Sequence, residues 1–136
     1  MIFRDTDIEG VRIVELEPAA DTRGSFARSF CTEEFAAAGI TLNVVQTNIS
    51  RNTSRGTLRG LHFQDEPAPE PKLVRCTAGR IFDVAVDLRR ASSSFCRWTG
   101  HELDAETHKG LYIPAGCAHG FLTLSDDAEE IGRAHV

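Results

Sequence analysis

Two short segments of this 136-residue chain concentrate groups able to move protons. The first reads Arg59-Gly60-Leu61-His62-Phe63-Gln64 and is followed, after a proline-rich stretch, by Lys72. The second reads Pro114-Ala115-Gly116-Cys117-Ala118-His119-Gly120-Phe121. An imidazole can remove a proton near neutrality, because its ordinary pKa lies close to the working range. Arginine and lysine can hold a diphosphate or stabilise an enolate oxygen, and Gly60 lets backbone or ligand come close. Taken singly, each histidine reads as readily as a surface or hydrogen-bonded structural residue. A metal centre is poorly served. Gln64 rather than a second histidine follows His62, which leaves His62 and His119 where several histidines and a carboxylate are needed. His101, His108 and His135 lie in polar or terminal stretches and read as surface.

The elements that must carry these groups are mostly short β-type runs separated by turn residues, the pattern of an all-β sandwich or barrel. Residues 11–16 alternate as an early strand, and 43–50 are again extended. Residues 51–56 are polar and turn-rich, suiting a hairpin. A strand over 72–78 and a Gly79-Arg80 turn lead into the clearest strand, 81–88. There Phe82, Val84, Val86 and Leu88 point one way, and Asp83, Ala85 and Asp87 the other. Asp83 could orient a histidine or make a purely structural hydrogen bond. Residues 67–71 carry three prolines and belong outside a sheet interior. Residues 111–113 and 120–124 flank a turn with Pro114 and Gly116. One short helix is expected, capped by Thr32, favoured by Glu33 and Glu34, and stopped by Gly39. Strict alternation puts Arg59 and His62 on opposite faces, so a shared cavity requires a bulge or bend, with Gly60 the natural place.

The length suits one domain with a single core. Hydrophobic residues make up 41% and charged residues 26%, as in ordinary globular proteins. A net charge of −5 recruits neither nucleic acid nor an anionic membrane, so an anionic substrate needs a local basic pocket. No apolar run reaches membrane-spanning length and the first residues lack a signal peptide's pattern, so cytoplasmic residence is expected. Cys31, Cys76, Cys96 and Cys117 lie at least 20 positions apart with no Cys-x-x-Cys spacing, and read as reduced, mostly packed thiols.

The ordered motifs resemble those of the dTDP-4-dehydrorhamnose 3,5-epimerase family. They are Asp21-x-Arg23-Gly24-x-Phe26, Gln46-x-Asn48-x-Ser50, Leu58-Arg59-Gly60-Leu61-His62-Phe63-Gln64 and Lys72-Leu73-Val74. They continue with the run from Gly79 through Asp83 to Arg89, and with Ile113-Pro114-Ala115-Gly116-Cys117-Ala118-His119-Gly120-Phe121. The resemblance covers residues 21 to 129. It implies a mainly β, cupin-like jelly-roll barrel with one short helix near the N-terminus, a homodimer, and no metal or organic cofactor. It also implies an isomerase that acts on a dTDP-4-keto-6-deoxyhexose, inverting C3 and C5 through enolates on the way to dTDP-rhamnose. By the same resemblance His62 is the base and Lys72 the cation beside the keto oxygen. His119 is a second active-site histidine, and Arg23, Phe26, Gln46, Asn48 and Arg59 contact substrate or nucleotide.

The departure comes near the end. The family places a tyrosine three positions beyond Glu129, as the acid that returns a proton to the opposite sugar face; here that position is Gly132. Residues 1–131 read as the single epimerase-like domain, shortened at its C-terminus, and 132–136 as a tail matching nothing in the family. The competing reading is a nucleotide-sugar-binding cupin with impaired or no catalysis.

Overall fold

The computed structural model of the chain describes residues 1–65, 67 and 69–134. Twelve strands and one helix follow in order: β1 (Ile2–Asp5), β2 (Arg12–Glu15), β3 (Ala19–Asp21), β4 (Gly24–Phe26), α1 (Thr32–Ala37), β5 (Gln46–Asn52) and β6 (Leu58–His62). Then come β7 (Lys72–Ala78), β8 (Arg80–Asp87), β9 (Trp98–Asp104), β10 (Gly110–Ile113), β11 (Cys117–Thr123) and β12 (Ala128–Ala134). Two antiparallel sheets face each other, ordered β1-β2-β10-β7-β12-β5 and β6-β11-β8-β9, while β3 and β4 form a separate hairpin. This is the expected mainly β jelly roll. Such a double sheet hides most backbone donors and acceptors in ladders while leaving an interior to fill.

Two apolar clusters hold it together. The inner one includes Val74, Cys76, Ile81, Ala85, Leu103, Leu111, Cys117 and Phe121, drawn from both sheets. The outer one packs Phe35 of α1 against Val14, Leu73 and Tyr112 on the other face of the six-stranded sheet. Phe35 meets Phe3 edge-on at 4.9 Å between centroids, a favoured aromatic geometry. α1 begins at Thr32 with Cys31 in the cap position and no side-chain cap, so Thr32 is the first helical residue rather than the cap. Gly39 ends it at φ +77°, its N–H reaching the Ala36 carbonyl.

β8 shows how alternation divides the barrel. The buried residues are Ile81, Asp83, Ala85 and Asp87, whereas Phe82, Val84 and Val86 are only half-buried. The acidic set therefore faces the interior, and each acid has its own partners there. Asp87 accepts from Arg89, Ser92 and Ser94. Burial alone would raise its pKa, but those hydrogen bonds outweigh burial and hold it well below the usual carboxylate range. Asp83 lies behind the cavity described below, against His119.

Several boundaries differ from the sequence reading. Arg51 and Asn52 still belong to β5, and the turn begins after them. β12 continues through Gly132 to Ala134, with Gly132 paired to Asn48 and Val74, so part of the expected tail is strand. Ala68 of the proline-rich stretch, and His135 and Val136 of the tail, lie outside the described residues. Cys76 and Cys117 are buried and Cys31 is half-buried, but Cys96 is exposed. His101 is half-buried rather than a surface residue, paired across β9 and β8 with Asp83. Burial lowers its pKa.

Candidate active site

The β6–β11 ladder pairs His119 with His62, then Phe121 with Arg59. Three steps along β6 thus oppose two along β11, which is a bulge. The extra residue turns Arg59 and His62 to the same side, as a shared site requires. Gly60 makes the bulge possible: its φ is +101°, and a Cβ there would lie 2.7 Å from the His119 carbonyl and 2.8 Å from Gly120 Cα. No other residue type fits without moving β11.

On β8, the next strand over, Asp83 points to the same interior. Its Oδ1 lies 2.7 Å from His119 Nε2, and both side chains are nearly inaccessible, at 0% and 6% exposure for the residues. Burial alone would lower the imidazole pKa, but the Asp83 charge and hydrogen bond outweigh it, and the net shift is upward. The His62 side chain, by contrast, has no hydrogen-bond partner among the described residues and opens to the cavity.

The facing sheet supplies the opposite wall. Lys72 and Val74 come from β7, Glu130 and Gly132 from β12, and Asn48 and Ser50 from β5. Alternation puts each pair on one face, since every two members are two residues apart. The enclosed space measures about 320 Å³ and is lined also by Arg59, His62, His119 and Glu70. Lys72 Nζ sits 2.6 Å from Glu70 Oε2, and both side chains are largely buried. Arg59 Nε donates to Asn52 Oδ1 at 2.7 Å. Gln46 does not line the cavity; its Nε2 reaches Glu70 Oε1 at 3.3 Å, which puts it at the rim. The site is therefore basic on the β6–β11 side, with one paired lysine and a buried carboxyl across from it.

Six expected residues thus converge: His62, Lys72, Arg59, Asn48 and His119 on the cavity, and Gln46 beside it. Arg23 and Phe26 do not. They belong to the β3–β4 hairpin, whose residues are all exposed; Phe26 is 80% exposed and Arg23 is paired with Asp21 at 2.6 Å. Together they line a separate shallow concavity. Motif matching cannot see this, because it carries no information about how far apart two motifs lie in the fold. Tyr112 is a packing residue in the outer apolar cluster, with burial raising its pKa.

The sequence reading overlooked Glu70, Ser50 and Glu130. Glu130 carried no signal by itself: its place on the inner face with Gly132 follows from counting in twos only once Ala128 is known to be buried. Among the described residues, no group of three or more His, Cys, Asp or Glu side chains converges as metal ligands would. Among the same residues, no helix is long and apolar enough to cross a membrane.

A family model described as dTDP-4-dehydrorhamnose 3,5-epimerase matches residues 5–132. A dTDP-4-dehydrorhamnose 3,5-epimerase of Shigella flexneri is 49% identical over 131 residues, covering 96% of this chain and 72% of the relative. The crystal structure of the Bacillus anthracis str. Ames dTDP-4-dehydrorhamnose 3,5-epimerase with TDP and PPi bound superposes with a TM-score of 0.95 at 36% identity, over 98% of this chain and 76% of that one. A Legionella pneumophila Philadelphia 1 dTDP-6-deoxy-D-glucose-3,5-epimerase in complex with dTDP-4-keto-L-rhamnose gives 0.91 at 40% identity, over 98% and 70%.

Proposed function

Because the chain belongs to the dTDP-4-dehydrorhamnose 3,5-epimerase family, we propose that it epimerises a dTDP-4-keto-6-deoxyhexose at carbons flanking the C4 ketone. The reading rests on one observation: His62, Lys72 and His119 line a single cavity, with His62 and Lys72 on facing sheets.

The chemistry follows from what a ketone does to its neighbours. A proton on C3 or C5 is acidified because the electron pair left behind delocalises onto O4. His62, whose side chain has no hydrogen-bond partner among the described residues, takes that proton. The C–H pair becomes the C=C bond of an enolate, and the Lys72 ammonium meets the charge that develops on O4. Lys72 is poised by Glu70, which holds it without filling the cavity. His119, fixed by Asp83, lines the wall beside His62 and offers a second imidazole to the sugar or diphosphate. Arg59, Asn48 and Gln46 bind the remainder of the nucleotide sugar around the mouth. One base and one oxyanion site serve both flanking carbons, since both are adjacent to the same carbonyl.

Arg23 and Phe26 are proposed to act across a homodimer, the hairpin of one copy closing the cavity of the other. Their full exposure and distance from their own cavity support this. A charged nucleotide sugar does not cross a bilayer unaided, and the proposed workplace is the cytoplasm.

The test is isotopic. With the 4-keto nucleotide sugar in deuterated water, the protein should wash label into C3 or C5, and His62→Asn should lose that exchange by about 10²–10⁴-fold while still binding dTDP. Nucleotide binding with no exchange by the unsubstituted protein would make it a binding module instead.

A further inference from the structure

We propose that the Glu130 carboxyl is the acid that delivers a proton to the sugar carbon from the face opposite His62. This rests on the epimerase reading above and adds the residue that completes inversion.

Inversion requires that one face of the carbon lose a proton and the other gain one. His62 stands on β6, in the four-stranded sheet, so the returning proton must come from the six-stranded sheet across the cavity. That wall offers two ionisable proton carriers among the described residues, Lys72 and Glu130; the Ser50 hydroxyl also lines it but is far too weak an acid to be the donor. Lys72 is tied to Glu70 at 2.6 Å and is the group needed at the ketone oxygen. Glu130 is only 8% exposed, and no hydrogen bond joins its carboxyl to any described residue. A buried carboxyl left without a partner is expensive to keep unless it serves a ligand.

Its location is specific. Gly132 is the position where the resemblance puts the acid tyrosine, and a Cβ built there would lie 3.0 Å from Glu130 Oε1, with only Val74 Cγ1 otherwise near, at 3.7 Å. Glu130 therefore reaches over Gly132 into the space that a side chain at 132 would enter. Two residues back on the same face of the same strand, a different acid fills the vacated wall.

The electrostatics agree. Burial pushes the carboxyl up to about 7; His119 opposes that, Asp83 adds to it, and Lys72 opposes it. The group is thus substantially protonated near neutrality, as a proton donor must be.

The step balances without any further reactant. His62 takes the proton from one face, and the C–H pair enters the enolate. The enolate carbon then forms a new C–H bond with the Glu130 proton while the O4 pair restores the ketone. His62 is left protonated and Glu130 ionised, and exchange with water at the cavity mouth resets both.

Glu130→Gln keeps size and shape but cannot give a proton. It should still exchange label at C3 or C5 through His62 within several-fold of the unsubstituted protein, with retained configuration, while net inversion falls by about 10²-fold or more. Glu130→Asp, which keeps the proton but withdraws it by one methylene, should fall between. Inversion by Glu130→Gln at the native rate would overturn the assignment. So would exchange and inversion falling in equal proportion in both variants, because that pattern marks a structural role. Absence of exchange in the unsubstituted protein would instead overturn the epimerase reading itself, and the two failures are told apart by that control.

Discussion

His62 and His119 are direct cross-strand partners on β6 and β11, one open to the cavity and the other buried against Asp83. Two imidazoles side by side in one wall are thereby given different surroundings. The Asp83 carboxylate makes His119 hold a proton more firmly, whereas the His62 side chain has no hydrogen-bond partner among the described residues. One ring is anchored and its neighbour is left open to a ligand.

Breaking the buried pair tests that division. Asp83→Ala leaves an imidazole with no acceptor in a nearly closed site and should destabilise the protein by about 3–5 kcal/mol in urea titrations. Asp83→Asn keeps an acceptor but removes the charge, and should cost less. The pH dependence has a definite sign. The folded pKa of His119 is raised, so its contribution is complete below the ordinary imidazole value of 6.5 and is lost as pH climbs through the raised value. Asp83→Asn should flatten that loss.

The bulge at Gly60 is a second point of failure. Gly60→Ala forces a side chain onto a φ of +101° and against the His119 carbonyl. The backbone strain alone is about 1–3 kcal/mol. Activity should fall further than stability predicts, because Arg59 and His62 owe their common orientation to this residue and a shift of about 1 Å in a base is worth about 10²-fold. Thermal melting and kcat/KM, measured together, separate the two effects.

Lys72→Met should lower kcat by about 10²–10³-fold with a smaller change in KM, as loss of an oxyanion partner does. It also strands Glu70 in a largely buried position, so a drop in melting temperature should accompany it. Lys72→Arg retains the charge for Glu70 and should recover stability more than rate.

Glu130 makes the protein's stability fall with rising pH. Its unfolded value is near 4.5 and its folded value about 7, so the unfolded chain gives up the proton first. Stability from this group is full below 4.5 and is lost on passing 7, a difference on the order of 3 kcal/mol. Denaturant midpoints measured between pH 4.5 and 8 should show the slope, and Glu130→Gln should remove the part due to this carboxyl.

Mixing two inactive variants tests the hairpin. His62→Asn and Arg23→Ala proteins, unfolded and refolded together, should form mixed dimers in which one site has both His62 and Arg23. About a quarter of native activity is then expected at equal concentrations, given two-fold pairing at random. If each hairpin serves its own barrel, no such recovery occurs.

What the sequence determined by itself was everything that depends on local order. The period-two runs announced a β barrel, the Lys72–Ala78 strand and the Gly79 turn fell where expected, and motif spacing named the family and most of the cavity residues. Alternation also demanded a bulge at Gly60, because side-chain direction on a strand is a counting problem. Which face of each strand became the inside was settled only when the sheets assembled. On β8 the acidic face, not the one with Phe82, Val84 and Val86, turned inward, and Asp83 became a buried partner of His119. Glu130 reads as an ordinary surface charge until β12 is paired between β5 and β7 with Gly132 beside it. Burial is a property of the assembled sheets, and a carboxyl's proton affinity follows from burial; neither is carried by any short stretch of chain.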